Sequence, residues 1–237
     1  MDVSAYYWLK KNDNHTGTNT ATRPDELSTI GGLISATPIE NLTASLEAAY
    51  QFGRNTETNN QKKHDAWAIQ GMADYTFAKV KMTPKVGASL TYLSGGKASD
   101  TRNGGWDPLF YDQKLNNIVY TILPFSNMVA YNLKASCKPV EDVTVSAVYG
   151  YYNVADKNGA SFTVPNTYDN GSTYYGGGTG TYTGKTYLGS ALDGTITYDY
   201  TEDVQFGLTA GYFLPGNALT TNSANASQLI GSMKVTF

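Results

Sequence analysis

Apolar and polar residues alternate along most of this chain, and a helical spacing of apolar residues is rare. In LTASLEAAYQF, every second residue from Leu42 to Phe52 is apolar, and the residues between them are mostly polar. Successive side chains of a β-strand point to opposite faces, so this pattern predicts strands with one apolar and one polar face. Segments of about 9–11 such residues are long enough to cross a bilayer at a tilt. The pattern predicts about ten strands, which start near Val3, Leu27, Leu42, Ala66, Val86, Met128, Val143, Leu188, Val204 and Gln228.

The connections between these predicted strands alternate in length. Short links such as TPIEN and KPVED follow the even-numbered strands, and long polar stretches such as 54–65, 95–127 and 153–187 follow the odd-numbered ones. Outer-membrane barrels have tight turns at one end and long loops at the other, whereas a soluble sandwich has no reason for this segregation. We therefore predict an all-β fold, a transmembrane antiparallel up-and-down β-barrel that occupies residues 1–237 as a single domain. A soluble carbohydrate-binding sandwich is the other interpretation.

The composition is typical of a membrane barrel. Charged residues make up 16% of the chain, below the roughly 25% of soluble domains, and 19 residues are Tyr. The net charge of −3 and the lack of a dense Lys/Arg patch argue against nucleic acid as a partner. The two histidines, His15 and His64, both fall in predicted loops, and with one cysteine they offer no transition-metal ligand set. We therefore expect no cofactor, no metal and no enzymatic activity.

The chain ends on a strand pattern, QLIGSMKVTF, whose last residue is Phe237. Leu229, Met233 and Val235 fall on the same face as Phe237, where an aromatic residue belongs in the interfacial girdle of a barrel. This ending resembles the signal by which outer-membrane proteins are handed to the barrel-assembly machinery. We therefore expect that machinery and outer-membrane lipid as partners, and the bacterial outer membrane as the location. A terminal edge strand of a soluble sheet is the alternative.

Four stretches of the sequence are distinctive in their order and spacing: LEAAYQFGR (Leu46–Arg54), AWAIQGMADYTF (Ala66–Phe77), WDPLF (Trp106–Phe110) and LDGTITYDYTEDVQFGLTAGYFLPGNAL (Leu192–Leu219). Together they resemble the alginate-export porin family, a group of large outer-membrane barrels. The resemblance implies that this chain supplies about ten strands, from the C-terminal half of a barrel of about eighteen, and that the N-terminal strands and a signal peptide are absent. It also implies a channel for small hydrophilic solutes or an acidic oligosaccharide or polysaccharide.

The chain departs from this family in its arginines. The family's alginate exporter is known for an arginine-rich pore, but only Arg23, Arg54 and Arg102 occur here, all in or beside long connections. The alternative function is that of a complete, narrow ten-stranded barrel, an adhesin, structural protein or surface enzyme. Small residues at inward positions, among them Gly150 and Gly211, leave space inside and favour the wider barrel.

Charged residues on the polar face are the first candidates for function, because the charges that line a channel govern what passes. A Lys or Arg on the lipid face costs about 2–4 kcal/mol at the bilayer midplane, so we expect these charges to point inward. They could form cross-strand pairs within the wall or select the solute. The pore-lining candidates are Glu47, Asp74, Lys134, Asp193, Asp199 and Lys234.

The connection that contains SDTRNGGWDPLFYDQKLNNIVYTILPFSN (99–127) is unusually long and partly apolar. Connections of this length are commonly functional. It could fold into the pore as a constriction, or pack as an ordered cap against the mouth. Tyr152 and Phe213, whose parity is inward, could stack on a sugar. The constriction candidates are Arg102, Trp106, Asp107, Phe110 and Lys114.

The face assignment predicts different costs for lysine on the two sides of one strand. Phe206→Lys or Leu208→Lys places a charge on the apolar face, and the free-energy cost of such a charge is about 2–4 kcal/mol at the midplane of a bilayer. Gln205 and Thr209 face the polar side, where a lysine carries no such cost. We expect either of the first two substitutions to impair membrane assembly far more than Gln205→Lys or Thr209→Lys. The heat-modifiable folded band in outer-membrane fractions measures this. Equal effects would overturn the face assignment.

Overall fold

The computed structural model describes residues 1–12, 25–57, 60–96, 101–109, 115–158, 162–164, 178–180, 183–219 and 224–236. Ten strands are long, between 9 and 17 residues. Nine of them start within two residues of the predicted positions. The elements are β1 (Asp2–Asn12), β2 (Asp25–Ile39), β3 (Leu42–Glu57), β4 (Asn60–Thr76), β5 (Lys85–Leu93), β6 (Arg102–Asn103), α1 (Asn117–Ile122), β7 (Met128–Val140), β8 (Val143–Val154), β9 (Phe162–Val164), β10 (Gly178–Gly180), β11 (Tyr187–Asp199), β12 (Val204–Pro215) and β13 (Ala226–Val235).

The ten long strands form one continuous antiparallel sheet in the order β1-β2-β3-β4-β5-β7-β8-β11-β12-β13. Each pairs with the next long strand along the chain, which confirms the predicted all-β, up-and-down order. Within the described ranges no backbone pairing joins β1 to β13, so closure into a barrel is not observed and both outer strands keep a free edge. β6 pairs in parallel with the start of β4, and β9 pairs with β10 in a separate small sheet.

The connections at one end of the sheet are short, as the sequence predicts. Glu40 and Asn41 alone join β2 to β3, and Glu141 and Asp142 alone join β7 to β8. Asn41 has a φ of 66°, a conformation that Asn adopts more readily than most residues in a tight hairpin turn. The opposite end carries the long connections 13–24, 94–127, 155–186 and 216–225, but also the two residues 58–59 between β3 and β4.

The prediction of a polar loop over 54–65 is wrong. β3 and β4 remain paired as far as Glu57 and Asn60, so β4 starts six residues before Ala66. His64 therefore lies on β4, with 4% of its surface exposed, and not in a loop. The pairing of an antiparallel hairpin uses backbone groups and does not require apolar side chains. The outer part of this hairpin therefore forms without any alternation of apolar and polar residues in the sequence.

The outer face of the sheet is apolar and exposed. Ile196 on β11 pairs with Leu208 on β12, and half of each residue is accessible. On the other face of the same strands, the hydroxyl groups of the neighbouring pair, Thr195 and Thr209, lie 2.9 Å apart. The apolar face continues across the sheet, with exposed side chains that include Leu46, Tyr50, Trp67, Leu90, Leu133 and Met233.

A hydrophobic cluster lies on the opposite, inner face. It joins Ile118 and Val119 of α1 to side chains of β5, β7, β8, β11 and β12. Seven strand spacings separate β1 from β11, about 34 Å in a flat sheet, yet Lys10 of β1 and Asp193 of β11 both bond to one short segment, at Asp107 and Asn117. The sheet therefore curves around this segment, which includes α1, and its inner face is concave. α1 has six residues, and the described residues contain no helix long and apolar enough to span a membrane.

Gly211 on β12 leaves room for α1. A Cβ atom at this position would lie 2.6 Å from Oδ1 of Asp193, the residue that binds the start of α1, and 3.0 Å from the Cβ of Ile118 on α1 itself. Gly194 on β11 belongs to the outer face, and a Cβ atom there would meet nothing within 4 Å. The two glycines therefore differ in what a larger side chain would displace.

We expect Gly211→Val to push α1 away from β12 and to lower the free energy of unfolding by about 1–3 kcal/mol, the usual cost of overpacking. Gly194→Val is the matched control, since it adds the same side chain to the exposed face. Urea titration of the folded protein measures the difference. Equal stabilities of the two variants would show that α1 does not pack against Gly211.

Candidate functional site

The candidate site is the connection between β5 and β7, residues 94–127, which we call the insert. Its described residues are 94–96, 101–109 and 115–127. Trp106, Leu123 and Phe125 of the insert are at most 5% exposed and belong to the inner-face cluster. The strand residues of that cluster lie near the ends from which the long connections start. The insert therefore packs inside the concave sheet, at its long-connection end.

Ser94 holds the two ends of the insert together. Its carbonyl oxygen accepts hydrogen bonds from the N–H of Trp106 at 2.9 Å and of Asn127 at 3.1 Å. Its hydroxyl donates to the carbonyl of Gly104 at 2.8 Å and accepts from the N–H of Trp67 at 2.9 Å. Because both ends meet at one residue, the insert is a closed unit attached to β4 and β5.

Asn127 ties the end of the insert to the connection that follows β8. Its side-chain amide donates to the carbonyl of Asp156 at 3.0 Å, and its Oδ1 accepts from the N–H of Asp156 at 2.7 Å. Its own carbonyl accepts from the N–H of Ala155 at 3.1 Å. The φ of Asn127 is 51°, and Asn tolerates this left-handed conformation better than most residues.

Gln51 on β3 binds the backbone of the insert. Its Nε2 donates to the carbonyl of Asp107 at 2.7 Å, and its Oε1 accepts from the N–H of Asp107 at 2.9 Å. Nε2 of His64 lies 3.2 Å from the same Oε1. Gln51 is fully buried, so these bonds satisfy polar groups that would be costly to leave unpaired.

The carboxylate of Asp107 pairs with Lys10 on β1. The Lys10 Nζ lies 3.0 Å from each carboxylate oxygen, and the N–H of Leu109 donates to Oδ1 at 2.6 Å. The two side chains of the ion pair are 30% and 28% exposed. Asp107 therefore links the insert to β1 through its side chain and to β3 through its backbone.

Asp193 on β11 holds the start of α1. Its Oδ2 accepts from the N–H of Asn117, the first helical residue, at 2.5 Å. The first N–H groups of a helix have no partner within the helix, and Asn116 makes no side-chain capping bond. The amide of Asn116 instead donates to the carbonyl of Val148 on β8 at 3.3 Å. The predicted pore-lining carboxylate of Asp193 is thus 3% exposed and serves as the cap of α1.

The other pore-lining candidates also lie on the inner face of the sheet. Asp74 lies 3.9 Å from the Nζ of Lys85, and Asp199 accepts a hydrogen bond of 2.6 Å from Gln205. These are cross-strand partners of the kind expected within a polar wall, and a role in selectivity stays a prediction. The register places the five residues Glu47, Asp74, Lys134, Asp199 and Lys234 on this face.

The constriction candidates separate into three groups. Trp106 and Asp107 lie inside the concave sheet. Arg102 lies on β6 at the rim, where it pairs with Asp65 at 2.6 Å and 62% of its side chain is exposed. Phe110 and Lys114 fall outside the described residues, as does the predicted assembly signal Phe237.

Four residues that fix the insert were missed by the sequence analysis: Lys10, Gln51, Ser94 and Asn127. Alternation along β1 and β3 assigns Lys10 and Gln51 to the inner face, so the sequence did contain a signal for these two. Ser94 and Asn127 act through contacts between residues distant along the chain, and their local sequence gives no such signal.

The insert covers the two aromatics that were expected to stack on a sugar. Tyr152 is fully buried and Phe213 is 1% exposed, both within the inner-face cluster. They are therefore inaccessible to a solute in this structure. The space left by Gly211 is likewise occupied, by Ile118 of α1.

Metal-ligating residues are scattered through the fold. Across the described ranges, no three His, Cys, Asp or Glu side chains come close enough to hold a metal ion. His64 contacts Gln51, and Cys137 on β7 is a free thiol. What the site does offer is a polar concave wall, with a packed insert held by directed hydrogen bonds.

The sequence model of one family, described as Alginate export, matches residues 1–232, from β1 into β13. The chain belongs to the Alginate export family. The match confirms the resemblance carried by the four stretches and extends it over nearly the whole chain. No individual curated protein matches this sequence. Membership in the Alginate export family supports an export or porin-like role at the outer membrane.

Trp106 can report on the position of the insert. The chain has three tryptophans. Trp8 and Trp67 are 59% and 46% exposed, whereas Trp106 is 5% exposed. Replacing Trp8 and Trp67 with Phe leaves the buried indole of Trp106 as the single tryptophan emitter, which is excited at wavelengths where tyrosine does not absorb.

In this background we expect Gln51→Leu to loosen the insert, because it leaves the N–H and carbonyl of Asp107 without their partner. An unpaired buried polar group costs about 1–3 kcal/mol of stability. The emission of Trp106 should move to longer wavelength, and acrylamide should quench it more strongly. Gln205→Leu is the matched control, since Gln205 donates to Asp199 of β11 at 2.6 Å, at the end of the sheet away from the insert. Identical spectra of the two variants would contradict the anchoring role of Gln51.

Proposed function

We propose that this chain forms the wall of an outer-membrane channel through which small hydrophilic solutes, including acidic oligosaccharides, diffuse. The observation that carries the proposal is the contrast between the two faces of the same ten strands. Along the middle of the strands the outer face exposes apolar side chains and the inner face carries charges and hydroxyl groups, whereas the outer pair Lys11–Glu26 lies at the long-connection end. Such a wall can contact lipid on one side and water on the other without placing a charge in hydrocarbon.

Further strands pair with β1 and β13 in this proposal and complete a barrel of about 16–18 strands. Each unpaired backbone group in hydrocarbon costs several kcal/mol, so the two free edges require partners. The width that the barrel needs favours the same conclusion. The insert occupies the inner face from β5 to β12, and ten strands closed around it would leave little open space.

The insert is the constriction of the proposed channel. It is attached to β1, β3 and β11 by hydrogen bonds and ion pairs, and it reaches the inner wall at the long-connection end. Its partners in this proposal are outer-membrane lipid, the barrel-assembly machinery and a hydrophilic solute. Diffusion through such a constriction involves no catalytic step.

The Lys10–Asp107 pair should limit permeation, because it holds the insert to β1. A partly exposed pair contributes about 0.2–1 kcal/mol, which corresponds to at most about a fivefold change in the released population. We expect Lys10→Ala to raise the rate of solute uptake by up to that factor, measured by swelling of liposomes that contain the complete channel.

Lys11→Ala is the matched control for this measurement. Lys11 is adjacent in sequence but pairs at 3.0 Å with Glu26 on the outer side of the sheet. It should leave uptake unchanged. A Lys10→Ala channel with the uptake rate of the Lys11→Ala channel would contradict the constriction role of the insert.

A further inference from the structure

A cavity of about 230 Å³ lies between the insert and the inner face of β1, β3, β4 and β5. One wall is polar and consists of Tyr6, Glu47, Gln70 and Thr91. The apolar part of the lining includes Ala68, beside Gln70 on β4, and Trp106 and Phe125 from the insert. A cavity with a few converging polar groups on apolar walls is the usual form of a small-molecule site.

The polar wall is already ordered by hydrogen bonds between its own members. The hydroxyl of Tyr6 donates to Oε1 of Glu47 at 2.6 Å, and Nε2 of Gln70 donates to Oγ1 of Thr91 at 2.7 Å. Within the described part of the chain, Oε2 of Glu47 and Oε1 of Gln70 accept no hydrogen bond from the protein. Two acceptor oxygens therefore remain for the hydroxyl groups of a solute.

The charge of the cavity disfavours an anion. Glu47 is the one charged side chain among the described lining residues, and they include no Lys or Arg. The cation on the neighbouring part of β1, Lys10, is paired with Asp107. A solute carboxylate would face the Glu47 carboxylate without a compensating cation, and such like-charge contacts are strongly unfavourable.

The indole of Trp106 supplies an independent indication. Trp106 lines the cavity and is 5% exposed, and its Nε1 has no hydrogen-bond acceptor among the described residues. A buried donor without an acceptor is rare in folded proteins and calls for an explanation. An oxygen-rich solute in the cavity, with a small movement of the indole, would supply the missing acceptor.

We propose that this cavity binds one neutral sugar ring, and that it discriminates against the corresponding uronate. A cavity of about 230 Å³ has room for one sugar ring, near the lower end of the usual range of small-molecule sites. A neutral ring offers hydroxyl donors to Glu47 and Gln70 and a less polar face to Ala68. This inference rests on the proposed channel and narrows its solutes, since it makes neutral saccharides the preferred class.

The test uses three probes that share one ring and differ in charge: glucose, glucuronate and glucosamine. Binding to the complete protein is followed through the emission of Trp106, with Trp8 and Trp67 replaced by Phe. We expect saturable binding of glucose and binding of glucuronate that is weaker by about tenfold or more. Glu47→Gln should reduce this difference to about threefold or less. Binding of glucosamine tighter than glucose would overturn the proposal in favour of a cation site.

A second variant tests the location of the site independently, in case Glu47→Gln disturbs the polar wall. Ala68→Leu fills the cavity and should abolish glucose binding, while the heat-modifiable folded band of the protein stays as in the parent. Ala73→Leu, on the outer face of the same strand, should bind glucose normally. Undiminished glucose binding in the Ala68→Leu protein would overturn the assignment of the site to this cavity.

Permeation is measured separately, by liposome swelling with glucose and glucuronate. Glucose binding without permeation of either probe would overturn the proposal of a channel and support the sugar site. Permeation of both probes at equal rates, without saturable glucose binding, would overturn the sugar site and support the channel.

Discussion

The alternation of side chains between the two faces of a strand is the constraint on which the rest of this structure depends. A register shift of one residue would exchange the faces and bring every charge of the inner wall onto the apolar side. Two-residue turns, such as Glu40–Asn41, fix the register at one end of the sheet. With the register fixed, the outer face can stay uniformly apolar while the inner face adapts to the insert.

The insert is held by apolar contacts and by directed hydrogen bonds, and these two kinds of interaction have different roles. Ile118, Val119 and Phe125 bury apolar surface against the concave wall, which favours contact but specifies position weakly. Position is set by bonds to particular groups. Gln51 binds the backbone of Asp107, Asp193 caps α1, and Ser94 joins the two ends of the insert. Removing the bonds would therefore change where the insert lies more than whether it stays inside.

The sequence predicted the ten strands and the faces of their charges because both follow from a local period of two residues. It failed where structure depends on backbone pairing or on distant contacts. The polar extension that contains His64 has no alternation to detect, and α1 becomes ordered only against a wall drawn from five strands. Small inward residues predict open space, but the sequence does not show that Asp193 and Ile118 fill the position beside Gly211.

Family membership and the inner wall of this chain point to different solutes. A polyanion requires cationic groups along its path, yet Lys10 is paired with Asp107 and Lys85 lies near Asp74. Lys134 and Lys234 are the further inward lysines among the candidates, and no arginine of the described residues lies on the concave wall. A shared fold carries the architecture of a channel, but the groups that line it govern which solute is favoured. The Alginate export family therefore accounts for the sheet, whereas the proposal of a neutral solute rests on the groups that line the cavity beneath the insert.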